Sequence, residues 1–112
     1  MLVSQVTPGA NRKKDNMRVL KFISTAGHGY LEVRGDKANA LACATGYDYV
    51  SRNADLVMLE EDISAGLYLA NFVTDQERAA MVIEYREELP NGLTRITEAG
   101  AIGAKYLKGK GW

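Results

Sequence analysis

Three sets of residues in this chain have the types and spacing to do chemistry. His28 is the only histidine, and it stands between Gly27 and Gly29. An imidazole titrates near neutral pH, so it can serve as a general base, a metal ligand or a partner contact. Glycine on each side leaves the backbone free for unusual dihedrals and the ring unobstructed. Glu60, Glu61 and Asp62 are three consecutive acids. Their oxygens suit Mg²⁺ or Ca²⁺, although the spacing is not that of an EF-hand. Tyr30, Tyr47 and Tyr49 supply flat rings that stack on a base or line a ligand pocket.

Each set also has a plainer use. A hairpin turn can simply expose a histidine. Acids at the start of a helix complement its dipole. Tyrosines on a sheet are commonly half-buried core. Nucleophilic catalysis needs a base held by a third group with a nucleophile in reach. Ser24, Thr25 and Tyr30 lie near His28 in sequence, but no spacing aims them at it. Cys43 lies among alanines and reads as a small core residue. Gly27-His28-Gly29 lacks the third glycine of a dinucleotide fingerprint. Gly103 to Lys110 has the wrong spacing for a phosphate loop.

The elements that must hold these residues follow from periodicity. Met17 to Thr25 alternates like a strand and is rich in β-branched and aromatic residues. Ala26 to Gly29 reads as a turn into a second strand over Tyr30–Val33. Asp36 is placed to cap a helix over Lys37–Thr45. Tyr47 to Ser51 is a third strand, with Tyr47, Tyr49 and Ser51 on one face and Asp48 and Val50 on the other. Leu56 to Leu59 is apolar throughout and reads as a central strand. Asp62 is the expected N-cap of the next helix. Thr74 to Glu77 is a capping box opening a short helix near 75–81. Pro90-Asn91-Gly92 suggests that 82–89 and 93–98 form a hairpin; the alternative is a helix that runs on to Leu89. The expected core is Leu20, Phe22, Leu31, Val33, Val57, Leu59, Ile63 and Leu67.

These elements predict one α+β domain. Its sheet is antiparallel or mixed, with four to six strands and two or three helices on one face. The domain spans 17–98. Residues 1–16, with Arg12, Lys13 and Lys14, read as a polar N-terminal tail, and 99–112 as a glycine-rich C-terminal tail, loosely ordered unless Ile102, Tyr106, Leu107 or Trp112 docks on a partner.

At 112 residues there is room for one such domain. Fourteen basic residues balance fourteen acidic ones. That argues against nucleic-acid binding, which needs a strong positive field, and against an acidic mimic of DNA. No apolar run approaches the roughly 18 residues of a membrane span, and no signal-peptide core stands near the start. One cysteine makes no internal disulfide. The expected setting is cytoplasmic, with no membrane partner and no cofactor.

The words GHGYLEV, GYDYVSR and LVMLEEDISAGLYL, in this order, resemble a family of small uncharacterised proteins of bacteria, phages and plasmids. The likeness covers roughly residues 20–72. The chain departs from the family in a shorter connecting helix, in Ile63-Ser64 where a Cys-Asp pair is usual, and in its C-terminal stretch. The family brings no activity. The resemblance implies a mobile-element setting and directs attention to His28, Tyr30, Tyr47, Tyr49, Glu60, Glu61 and Asp62.

The function expected is that of a non-enzymatic binding protein from a phage, plasmid or bacterial accessory gene, acting on a host protein or a small signalling molecule. The alternative is a small enzyme or metal-binding protein centred on His28 and Glu60/Glu61/Asp62. A pocket holding His28 together with an acid would favour that alternative. A homo-oligomer is expected, because Tyr106, Leu107 and Trp112 lie in a stretch too rich in glycine to order itself.

Overall fold

The computed structural model describes residues 18–111. The expected tail over 1–16 lies outside them. Among the described residues there are six strands, rich in β-branched, aromatic and aliphatic residues: β1 (Lys21–Ser24), β2 (Gly29–Arg34), β3 (Asp48–Ser51), β4 (Leu56–Glu60), β5 (Val82–Tyr85) and β6 (Leu93–Ile96). Among the described residues there are four helices, where the sequence suggested two or three. They are α1 (Lys37–Ala42), α2 (Ser64–Phe72), α3 (Asp75–Ala79) and α4 (Ala101–Gly109).

The strands form one mixed sheet in the order β5-β1-β2-β4-β3-β6. All pairs are antiparallel except β1 with β5, which is parallel. The fold is α+β, as composition and periodicity indicated. β4 is buried along its whole length, as expected of a strand with neighbours on both edges.

A period of two splits the side chains between two faces. Leu31, Val33, Val57 and Leu59 point to one face and pack with Ala40, Cys43, Ala65 and Tyr68 of the helical layer and its loops. Ile23, Tyr30, Leu56 and Met58 point to the other and form a smaller cluster with Tyr49, Leu89 and Leu93. No helical residue belongs to that second cluster. Of the expected core, Leu20, Leu31, Val33, Val57 and Leu59 are buried, whereas Phe22, Ile63 and Leu67 are half-buried. The fully buried Tyr68 fills the space instead.

The expected hairpin of 82–89 with 93–98 does not form. β5 and β6 are strands, but they lie on opposite edges of the sheet. β5 finds the free edge of β1, with Lys21 beside Val82, and β6 finds β3, with Tyr49 opposite Arg95. Residues 86–92 therefore cross the sheet on the face where no described helix packs, the helix-free face, and Leu89 packs down on the second cluster. A tight turn at Pro90-Asn91-Gly92 is a local preference. Two open sheet edges, each with unpaired backbone groups, outweigh it.

The expected loose order of 99–112 fails at α4. Gly100 and Gly103 are close-contact residues here. A Cβ on Gly103 would stand 2.0 Å from the Ala44 carbonyl oxygen, and one on Gly100 2.0 Å from that of Leu41. These glycines let α4 approach the backbone at the end of α1, and the Gly100 amide bonds the Ala44 carbonyl at 3.0 Å. No helix among the described residues is long and apolar enough to cross a membrane.

Candidate functional site

The register of the sheet assembles the site. In the ladder Tyr30 of β2 lies opposite Glu60 of β4, and Met58 of β4 opposite Tyr49 of β3. All four side chains share the face on which no helix packs among the described residues. The β1–β2 turn brings His28 to the same end of the sheet. Thr25 closes that turn, its amide donating to the His28 carbonyl at 2.8 Å. The rings then run in series. His28 and Tyr30 have centroids 6.4 Å apart, and Tyr30 meets Tyr49 edge to face at 5.9 Å. Edge-to-face geometry is the favoured contact of aromatic quadrupoles.

These rings form the floor of a cleft of about 550 Å³, lined by His28, Tyr30, Tyr47, Tyr49, Glu60, Asp62, Ile63 and Arg95. Six of the seven residues singled out from sequence therefore line one cavity. Glu61 does not. Alternation along the chain turns it to the opposite side of Glu60, where its carboxylate lies against Gly29 and Phe22. The role of Gly29 follows from this. Neither Gly27 nor Gly29 has a positive φ, so backbone freedom is not what they supply. A Cβ on Gly29 would stand 2.4 Å from the Phe22 ring and 2.9 Å from a Glu61 oxygen.

Asp62 is not the helix cap. The chain turns over 61–63, Ile63 occupies the N-cap position without a side-chain bond, and α2 begins at Ser64. Asp62 lies one residue too early and lines the cleft. The helix start is held instead by Asp48, which sequence reasoning passed over. The Asp48 side chain is fully buried. It accepts from the Thr45 amide at 2.9 Å, the Glu60 amide at 2.8 Å and the Ser64 hydroxyl at 3.0 Å. One carboxylate thus ties the end of β4, the start of α2 and the loop before β3 behind the cleft wall.

Arg95 was also missed. Its Nε donates to the Gly46 carbonyl at 3.1 Å, and its guanidinium lies 5.5 Å over the Tyr47 ring. Only the β3–β6 pairing places it there, and no local pattern signals that pairing.

The environment perturbs two groups in the cleft. Burial raises the Glu60 carboxyl above its ordinary range. The Asp62 amide, donating to Glu60 Oε1 at 3.0 Å, pulls it down, while the neighbouring Asp62 carboxylate adds to the rise. Burial likewise raises the Tyr30 phenol, with further contributions from Tyr49 and Glu60. Tyr30 is therefore a hydrogen-bond donor at neutral pH.

The His28 ring has no hydrogen-bond partner among the described residues, and the side chain is exposed. No three His, Cys, Asp or Glu residues among those described come together as a cation-binding group. Cys43 is buried and free, and burial pushes its thiol up to about 11. It belongs to the core and not to the cleft.

A polar network on the helical side completes the charged inventory. Arg18 bonds Tyr68, the Phe72 carbonyl and Glu77, and Tyr68 in turn bonds Asp36. It clamps the residue pairs before β1 and α1 to α2 and α3. Comparison of the chain with protein-family models, curated proteins and solved structures gives no match.

Proposed function

We propose that this is a non-enzymatic binding protein and that the cleft on the helix-free face is where it holds its ligand. The accessory-gene setting, in a phage, plasmid or bacterium, rests on the resemblance of the GHGYLEV, GYDYVSR and LEED words. The observation that carries the binding reading is convergence. Residues from a turn, four strands and the β4–α2 junction meet at one cavity. Its volume falls within the roughly 300–1,000 Å³ of small-molecule sites. Aromatic rings give contact area at low entropic cost, and a few charged groups fix orientation. Between a host protein and a small signalling molecule, the concave shape favours the small molecule.

A second reading, a small enzyme centred on His28, has one observation in its favour: His28 lines the same cleft as Glu60 and Asp62. A catalytic base is held in place by a partner. The His28 ring has none among the described residues, so binding is the better supported reading.

His28→Ala tests both. His28 projects from a turn and its ring adds no hydrogen bond to the fold, so the melting temperature should stay within a degree or two of wild type, as about 0.5 kcal/mol or less implies. Native mass spectrometry of protein purified from cells should show a small molecule retained by wild type and lost in the variant. Leu31→Ala, in the core behind the cleft, should instead cost about 2–5 kcal/mol. A His28→Ala protein that keeps its ligand removes the histidine from the site. Turnover of the retained molecule by wild type alone would establish the enzyme reading.

A further inference from the structure

We infer that the ligand of this cleft is an elongated organic polycation, a linear polyamine lying across Tyr30 and Tyr49 with ammonium groups on either side. The inference rests on the reading of the cleft as a binding site and names its ligand class.

The first observation is that the cleft has a neighbour. A second cavity of about 390 Å³ shares Tyr30 and Tyr49 with the first and is walled by Glu87, Glu88, Leu89 and Pro90 of the crossing connection. The two cavities adjoin at the Tyr30 and Tyr49 rings, and we read them together as one groove with an aromatic waist. Carboxylates stand on both sides of that waist: Glu60 and Asp62 on one, Glu87 and Glu88 on the other.

The second observation is that these acids pair with no cation among the described residues. The ion pairs among the described residues use Glu32, Asp36, Glu77 and Glu84. None uses Glu60, Asp62, Glu87 or Glu88. Glu60 is the most telling of the four. It is 9% exposed, accepts from the backbone amide of Asp62 at 3.0 Å, and meets no side-chain cation among the described residues. A buried carboxylate without a counter-charge is costly, and an incoming ammonium group removes that cost.

The third observation is the floor. Ring faces attract cations through their quadrupole, and methylene chains pack on the same faces. A linear polyamine offers both, with charges spaced by short apolar links. The single cation lining the groove among the described residues, Arg95, is already engaged over Tyr47 and with the Gly46 carbonyl. Four carboxylates against one guanidinium repel an anionic ligand. A hard metal ion needs converging oxygens, and no such group of three forms among the described residues.

The test is calorimetric titration at low salt with spermidine, the shorter putrescine, and AMP as an anionic stacking probe. Spermidine should bind saturably with one site per chain, more tightly than putrescine, while AMP should not bind. Glu60→Gln keeps the acceptor for the Asp62 amide and removes the charge. It should weaken spermidine about tenfold, the scale of one hydrogen bond to a charged group. Glu87→Gln with Glu88→Gln, both exposed and safe for the fold, should weaken it about threefold, as exposed ion pairs contribute little. Glu61→Gln removes the same charge outside the groove and should change nothing. The inference is overturned if spermidine gives no saturable binding, or if Glu61→Gln weakens it as much as Glu60→Gln. Tighter binding of AMP overturns the polycation and leaves the cleft a binding site. A cleft that takes none of these probes, nor any member of a fragment library, overturns both readings.

Discussion

Asp48→Asn is the sharpest test of how the site is built. The Asp48 carboxylate is fully buried, and its two oxygens accept three hydrogen bonds: Oδ1 from the Glu60 amide, Oδ2 from the Thr45 amide and the Ser64 hydroxyl. Asparagine keeps one acceptor oxygen and turns an NH₂ donor to the other side. Whichever way it faces, one buried N–H, of Glu60 or of Thr45, meets a donor. An unsatisfied buried amide costs about 1–3 kcal/mol, and the surviving bonds lose the strength that charge lends them. The sum is about 2–4 kcal/mol, a large share of the roughly 5–15 kcal/mol that stabilises a domain. Urea denaturation at pH 7 should show a lower midpoint with an unchanged slope. Amide exchange should quicken first at Thr45 and Glu60, ahead of the β2–β4 ladder. A variant within about 0.5 kcal/mol of wild type, with Thr45 and Glu60 still protected, would refute the reasoning.

Three further outcomes are expected. Gly103→Ala drives a methyl group into the Ala44 carbonyl and should cost about 1–3 kcal/mol. Gly109→Ala meets open space and should be neutral or slightly stabilising in the same denaturation series. Glu77 governs acid stability: burial raises its carboxyl, but the Thr74 amide and Arg18 outweigh that and hold it below the ordinary range. Its contribution is therefore present above the unfolded value of about 4.3 and lost as pH falls through the lower folded value. Glu77→Gln should cost about 1–2 kcal/mol at pH 7 and flatten the stability curve below about pH 4.3, whereas a curve parallel to wild type would refute the assignment. A homodimer through the β5 edge, where Val82, Ile83 and Tyr85 are exposed, should appear by light scattering at about 100 μM, and Ile83→Lys should abolish it; a wild-type monomer there would end the idea.

What was legible in the sequence was local. Alternation within Met17–Thr25 and the unbroken apolar run Leu56–Leu59 marked β1 and the buried β4, because such patterns need only neighbours to be read. The Thr74–Glu77 capping box was visible because both of its bonds lie within four residues, and both form. The cleft residues were found partly for that reason: Tyr47 and Tyr49 share a face by parity, and the glycines drew attention to His28. What was not legible depended on pairing across the chain. Arg95 joins the site only because β6 chose β3, some 45 residues away. Glu61 was grouped with its neighbours although a strand separates consecutive side chains by half a turn. Asp48 looked like a polar residue on a strand, and only the meeting of β4, α2 and its own loop shows why it is buried. The glycines of α4 looked like disorder when their use is close approach.

The placement of β5 and β6 has a consequence for synthesis. The four strands made first, in the order β1-β2-β4-β3, leave the ribosome as a sheet with two bare edges. Neither edge is covered until the last third of the chain emerges: β5 closes one, and β6, after the crossing at 86–92, closes the other. Until then the Ile23–Tyr30–Met58 face also lacks its cover from Leu89, which arrives with the same segment. The nascent protein is therefore open to edge-to-edge pairing with its own kind. A chain cut short before residue 82 would keep both of those edges for good.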